Sequence, residues 1–167
     1  RLMDRLYDQS NVRDVIKLEN FDTFDLRLFD TEVVPAEGIS PKENAQRNLK
    51  KAMEFAEHPE GENLLLYGGA GRGKTFLCNC IAKEVLEHGK TVLYLTAGQL
   101  FKQLEDMRFR NKEEEEPFDW DSEILDADLL IIDDLGTEFA TMFTASELFR
   151  IVNDRKLRKR PVVISTN

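Results

Sequence analysis

Between Tyr67 and Phe76 the chain places glycines at positions 68, 69, 71 and 73 and follows them with Lys74 and Thr75. So dense a run of glycine belongs neither inside a helix nor inside a strand, because glycine loses the most backbone freedom when it is fixed. Its flanks are regular. Leu64, Leu65 and Leu66 form a short apolar run suited to a buried strand. Leu77, Ile81, Val85 and His88 recur at helical spacing, and Gly89 stands where a C′ residue belongs. Strand, glycine loop and helix in that order predict an α/β fold.

Gly68 to Thr75 also fits the phosphate-binding pattern G-x-x-x-x-G-K-[ST]. Glycines let the backbone turn through positive φ, so that successive N–H groups point inward as a nest for phosphate oxygens. The helix starting near Lys74 adds the positive end of its dipole. Lys74 is placed to reach β- and γ-phosphates, and the Thr75 hydroxyl to hold Mg²⁺. The candidate nucleotide segment is Gly68, Gly69, Ala70, Gly71, Arg72, Gly73, Lys74 and Thr75, with Phe76 in the first helical turn. A glycine-rich turn could match such a pattern by chance, but the strand before it and the helix after it favour a nucleotide site.

Asp128 to Leu135 reads Asp-Leu-Leu-Ile-Ile-Asp-Asp-Leu. Four consecutive apolar residues suit a strand covered on both faces of a parallel sheet. Two acids at its C-terminal end are costly beside such a core unless a cation compensates them. Ligands of parallel α/β sheets gather at that end. Asp133 is therefore the expected Mg²⁺ partner, and Asp134 could orient or deprotonate an attacking water. The plainer alternative is a strand running into a polar turn.

The chain has 167 residues, enough for one domain with its own core. It begins with Arg1, which suggests a piece of a longer product. No apolar run approaches a membrane span and no signal-peptide pattern is present, so a cytoplasmic protein without a membrane partner is expected. The net charge of −9 is uneven. Residues 105–128 carry eleven acids and three bases, a balance of −8, so the acidity describes one segment and says little about other faces. Within it, Glu113–Glu116 reads as a solvated loop or, less simply, a partner-binding acidic tip, and Phe118 and Trp120 as anchors onto the body. Cys78 and Cys80, two apart on a helix, cannot bridge each other and have no zinc-spaced partners. They read as small helix residues in a reducing compartment. His58 and His88 fall near helix ends, where an imidazolium suits the dipole.

Elsewhere the pattern is coarser. Residues 1–18 suggest part helix and a linker, with Leu2, Leu6, Val12, Val15, Ile16 and Leu18 among charges, and 19–39 an irregular stretch laying aromatics onto the domain. Ser40-Pro41-Lys42-Glu43 is a capping box with proline at the first helical position. The helix it opens would face the core with Ala45, Leu49, Ala52, Met53 and Ala56. Thr91–Leu95 reads as a second strand, and Thr96 caps a helix carrying Leu100, Leu104 and Met107. Thr144-Ala145-Ser146-Glu147 reads as another capping box, opening a helix with Leu148, Ile151, Val152 and Leu157 inward. Its basic end, Arg155, Lys156, Arg158, Lys159 and Arg160, either complements the dipole on a wet surface or contacts nucleic-acid phosphates. Val162–Ser165 is a fourth strand. The expected domain division is an extension over 1–39 and a core over 40–167.

These residues resemble the helicase loaders of the DnaC/DnaI type among the AAA+ ATPases, and their relatives the IstB-type transposition helpers. The resemblance runs from about Phe21 to Asn167. It rests most on Leu130-Ile131-Ile132-Asp133-Asp134-Leu135-Gly136-Thr137-Glu138 and the closing Val163-Ile164-Ser165-Thr166-Asn167. It implies a P-loop core with sheet order 1-4-3-2, ATP or ADP with Mg²⁺ as ligands, and Asp133 and Asp134 as the Walker B pair. It places Asn167 as sensor 1, catalytic together with Lys74, Asp133 and Asp134. It further implies a replicative helicase and single-stranded DNA as partners of the intact protein, and a hexamer or spiral. The family usually continues past sensor 1 with an arginine finger, a fifth strand, sensor 2 and a helical lid. A truncated core with weak or absent hydrolysis is therefore expected. AAA+ proteins usually place Glu where this chain has Asp134. A nucleotide-gated binding module with little turnover is the alternative of a different class.

Overall fold

The computed structural model describes residues 12–109, 119–136 and 141–167. Leu2, Leu6, the Glu113–Glu116 run, Phe118 and the Thr137-Glu138 pair lie outside them. In chain order the elements are α1 (Val12–Leu18), a 3₁₀ turn (Leu26–Leu28), α2 (Pro41–Glu57), β1 (Leu64–Tyr67), α3 (Lys74–Glu87), β2 (Val92–Thr96), α4 (Ala97–Phe109), α5 (Trp120–Asp126), β3 (Leu129–Leu135), α6 (Met142–Leu157) and β4 (Val162–Thr166). The four strands form one parallel sheet in the order β1-β4-β3-β2, as expected.

Side chains of a strand alternate between the two faces of its sheet, and here each face carries its own core. Val92, Tyr94, Leu129, Ile131 and Val163 pack on one side with Leu77, Ile81 and Val85 of α3, Ala52 and Ala56 of α2, and Val12 and Ile16 of α1. Leu93, Leu95, Leu130, Ile132 and Val162 pack on the other with Leu100 and Leu104 of α4, Ile124 of α5 and Ile151 of α6. The central strand β3 is buried from Leu129 to Asp133 because helices cover both of its faces. At the other extreme, β1 has no strand on its outer edge among the described residues. Leu65 and Tyr67 stay exposed on it.

Local capping places the helices. The Ser40–Glu43 box is formed in both directions. Thr96 and Gln99 make a reciprocal pair at the start of α4, with Gln99 N–H donating to Thr96 Oγ1 at 3.2 Å. Helix α6 starts one turn earlier than its sequence suggests. Thr141 is the cap and Thr144 the third helical residue, closing a box at 3.1 and 2.9 Å. A threonine hydroxyl can serve at either end of such a box, so the Thr144–Glu147 spacing is a decoy. The acidic stretch also contains α5, capped by Asp119, which is too short at seven residues for periodicity to show.

Three apolar assignments are corrected. Leu65, expected in a buried strand, is exposed because β1 alternates faces and one of them is left uncovered. Met53 is 42% exposed, at the margin of a stripe centred on Ala45, Ala52 and Ala56. Leu157 is exposed, because at about 100° per residue it lies half a turn round the helix from Leu148. The position that shares a stripe with Leu148 and Ile151 is Arg155, which by sequence belongs to a wet basic end. It is 0% exposed. Its guanidinium donates to the carbonyls of Ile124 (2.7 Å), Ala127 (2.8 Å) and Pro161 (2.9 Å), tying α5 and the approach to β4 onto α6. Burial, then the nearby Arg160 charge, lower its pKa to about 10, which leaves it cationic at neutral pH. The neighbouring Arg158 and Arg160 are ion-paired to Asp126 and Asp128.

Arg155→Met should therefore cost about 2–4 kcal/mol in urea unfolding, because the buried carbonyls of Ile124 and Ala127 lose their donor and that of Pro161 keeps only the Leu130 N–H. Arg158→Ala, which breaks a half-exposed pair, should cost less than about 1 kcal/mol. Equal losses for the two variants would contradict this account of Arg155.

Candidate functional site

The loop from Gly68 to Gly73 leaves β1 and enters α3, and its conformation depends on glycine. Gly71 and Gly73 sit at φ of 73° and 83°, where other residues are strained. Gly73 caps α3 without any side-chain hydrogen bond. The first intrahelical bond runs from Leu77 N–H to Gly73 C=O at 3.0 Å, so the N–H groups of Lys74, Thr75 and Phe76 have no acceptor four residues back. A helix start without a side-chain cap, behind an open glycine loop, suits an anion. Nothing lies within 4 Å of where a Cβ would stand at Gly68, Gly69, Gly71 or Gly73, so the space before the loop is clear. Ala70 and Arg72 are exposed on the loop.

Lys74 folds back over this loop. Its ammonium donates to Gly68 C=O at 2.6 Å, Gly69 C=O at 3.0 Å and Asn167 Oδ1 at 2.8 Å. Two residues 93 positions apart thus meet, because β1 and β4 are adjacent parallel strands that end at the same level.

Asp133 is 3% exposed at the C-terminal end of β3. A buried carboxylate needs hydrogen bonds or a cation. Tyr94 O–H donates to Oδ2 at 2.8 Å. Oδ1 accepts from Thr75 Oγ1 at 3.2 Å, from the Asp134 N–H at 3.1 Å, and from Ser165 Oγ. Asp134 reaches this geometry with φ at 58°, in the left-handed region, at a bulge where the β3–β4 register shifts. Its N–H also donates to Ser165 Oγ at 2.8 Å, while its side chain is exposed. Oxygen donors from one hydroxyl and one carboxylate, side by side at a phosphate loop, fit a hard cation such as Mg²⁺.

A cleft of about 720 Å³ opens beside the loop, between β1 and residues 24–48. Phe24, Phe29, Asn44 and Asn48 line one side, and Leu66, Gly69 and Lys74 the other. The Phe76 ring meets Phe24 edge-on at 5.5 Å, and Phe24 stacks on Phe29 at 5.7 Å. The Phe76 ring therefore holds the wall of the cleft, while its backbone N–H stands in the first turn of α3. A further tie comes from Asn79, buried in α3, whose amide donates to Glu19 Oε2 at 2.5 Å.

Of the residues singled out from sequence, Lys74 meets Asn167 and Thr75 meets Asp133. Tyr94, Ser165 and the Glu19–Asn79 contact are additions that sequence reasoning misses. A phenol inside an otherwise apolar strand is the available signal for Tyr94, since buried tyrosine hydroxyls find partners. Burial, then the charges of Cys78 and Asp133, raise the Tyr94 pKa and keep it a donor.

The family model for IstB-like ATP-binding proteins matches residues 29–167. The chain belongs to that family. It is also similar to the replicative helicase loader DnaC of Escherichia coli K12, 30% identical over 129 residues, which is 75% of this chain and 51% of that protein. The initiator DnaA of Campylobacter fetus is 31% identical over 104 residues, 62% of this chain and 23% of that one. The chain thus spans about half the length, or less, of these curated relatives. In fold it matches a crystal structure of the DnaC helicase loader with a TM-score of 0.68 at 22% identity, over 91% of this chain and 78% of that one. It matches DnaA bound to AMPPCP and single-stranded DNA with a TM-score of 0.67 at 20% identity, over 89% and 41%. These neighbours share the fold of this chain, a parallel sheet covered by helices on both faces. No helix among the described residues is long and apolar enough to cross a membrane.

In this IstB-like chain both cysteines of α3 are fully buried. Burial pushes the Cys80 thiol up to about 12, and burial with the Asp133 charge raises that of Cys78. A raised thiol pKa means less thiolate at any pH below it, on the order of a thousandfold less for Cys80. Neither should react with an aromatic disulfide reagent at pH 8 until urea unfolds the chain. Rapid release of chromophore from native protein would contradict the burial.

Proposed function

We propose that this chain binds Mg-ATP and hydrolyses it slowly. We further propose that the intact protein uses nucleotide to place a replicative helicase on single-stranded DNA. Residues 40–167 act as the ATPase core, with 1–39 as a linker or extension before it. The observation that carries the nucleotide reading is the meeting of Lys74 with Asn167, and of Thr75 with Asp133, at one end of a parallel sheet. That end is where ligands of such sheets bind.

The contacts support a role for each residue. Phosphate oxygens entering the loop meet the N–H groups at the start of α3 and draw the Lys74 ammonium from the Gly68 and Gly69 carbonyls. The exchange is favourable because charge-assisted hydrogen bonds are stronger than those to neutral carbonyls. The base and ribose occupy the cleft beside Phe24 and Phe29. Thr75 and Asp133 hold Mg²⁺, which when bound neutralises charge on the phosphates. Asn167 orients the attacking water, and Asp134, at the exposed turn after Asp133, accepts its proton. The resemblance implies a further arginine from a neighbouring copy, and without it turnover is slow.

A second reading is favoured by one residue. Aspartate at 134 is one methylene shorter than the glutamate usual in AAA+ proteins, which weakens its hold on water. That suits a nucleotide-gated binding module. The IstB-like family match equally suits a transposition helper, which would keep the same ATPase site.

Titration with a fluorescent ATP analogue tests the site. Lys74→Ala should weaken binding at least about tenfold, the loss of one strong charged hydrogen bond. Asp133→Asn should keep metal-free binding and lose the enhancement by Mg²⁺. Unchanged affinity in Lys74→Ala would refute the site. For the loader reading, the full-length protein should co-elute with its host's replicative helicase on a sizing column in Mg-ATP. Separate elution of a protein that still binds ATP would favour the transposition helper.

A further inference from the structure

None of these roles falls to Tyr94, although it is the donor to the second oxygen of Asp133. Tyr94 lies in β2, where Thr96 is the register partner of Asp133 and Tyr94 that of Ile131. Two residues before Thr96, Tyr94 points to the same face of the sheet as Asp133 does, the face covered by α3. Its ring is packed in that core with 9% of its surface exposed, and its hydroxyl reaches Asp133 Oδ2 at 2.8 Å. Donors from α3, β4 and the backbone of β3 converge instead on Oδ1.

The two ends of this carboxylate therefore face different surroundings. Oδ2 points inward to a phenol that cannot move without repacking the sheet. Oδ1 points to Thr75, toward the phosphate loop. A carboxylate turns about its Cβ–Cγ bond with little preference of its own, so the donor on the buried oxygen decides where the other one sits. Groups that orient a ligating carboxylate commonly matter to metal affinity by about 10–100-fold.

We propose that Tyr94 is a positioning residue for the metal-bound nucleotide, its hydroxyl pinning Oδ2 of Asp133 so that Oδ1 is held beside Thr75 Oγ1. This rests on the nucleotide and Mg²⁺ reading of the site. It adds to that reading a residue from β2, a strand that contributes nothing to the phosphate loop. Touching neither nucleotide nor metal, Tyr94 acts through Asp133 alone. Its loss should therefore alter the metal dependence of binding and leave metal-free binding as it was.

The experiment is a Mg²⁺ titration of fluorescent ATP-analogue affinity on wild-type chain and Tyr94→Phe, which removes one oxygen and keeps the ring. Metal-free affinity, measured in chelator, should stay within about twofold. The Mg²⁺ concentration giving half of the enhancement should rise about tenfold. In an Asp133→Asn background, Tyr94→Phe should have no further effect, since two residues acting through one contact are not additive. Tyr94→Met, which also lacks the hydroxyl, should shift the midpoint in the same direction and serves if the Phe variant melts below the assay temperature. A wild-type midpoint in a folded hydroxyl-less variant would overturn the role while leaving the nucleotide site standing. An equal loss of affinity with and without Mg²⁺ would overturn it too, showing a packing effect. Wild-type chain that binds no nucleotide in either condition would sink both this role and the reading it rests on.

Discussion

A carboxylate buried at the end of an apolar strand is the condition around which this fold is arranged. Asp133 follows Leu129 to Ile132, all fully buried, and is itself nearly inaccessible. Desolvation of an unpaired carboxylate there would cost several kcal/mol. The cost is met by donors from four directions: Tyr94 from β2, Ser165 from β4, Thr75 from α3, and the N–H of Asp134. Such convergence requires β3 to lie between β2 and β4 and α3 to cross the same face. The parallel order β1-β4-β3-β2 provides both. The left-handed turn at Asp134 is part of the same arrangement, because it aims an N–H back at the carboxylate it follows.

The second buried charge is handled differently and has a different effect. Arg155 has no carboxylate among its three hydrogen-bond partners; it is held by carbonyls at the ends of α5 and before β4. The Ile124 and Ala127 carbonyls lie at the end of α5, where a helix no longer supplies donors, and the Pro161 carbonyl accepts from both Arg155 and the Leu130 N–H, the latter at 3.3 Å. The residue therefore acts as a clamp on connections, far from the glycine loop. One buried charge organises the C-terminal end of the sheet, where chemistry can occur, and the other the opposite end, where strands begin. Between them the extension is fastened by Glu19 on Asn79 and by Phe24 on Phe76, so the wall of the cleft and the phosphate loop share one helix.

Much of the site is legible in the amino-acid sequence, because glycine spacing and the Asp133–Asp134 pair carry their chemistry in residue type and order. The helix starts at Ser40 and Lys74 are equally legible, since caps and glycine turns are local. Where the sequence misleads, the reasons are physical. Thr141 and Thr144 are chemically alike, and the true cap is decided by where the chain arrives. Arg155 sits at a core-facing position of its helix, but its charge suggests water. Leu157 misleads for the converse reason, an apolar side chain on the wet side of the same helix. The helix over Trp120–Asp126 is too short for its periodicity to rise above the acidic composition around it.

The amino-acid sequence by itself determined the local items: the phosphate loop, the strand before it, the helix after it, and the apolar strand ending in two acids. Each depends on residues within a few positions of one another. The tertiary structure alone decided which distant residues meet. Asn167 reaches Lys74 across two adjacent strands, Tyr94 reaches Asp133 across two others, and Glu19 finds Asn79 on a helix 60 residues away. The first two meetings are set by sheet order and register and the third by the seating of α1 on α3, and all three arise from packing the two cores together rather than from any short stretch of chain.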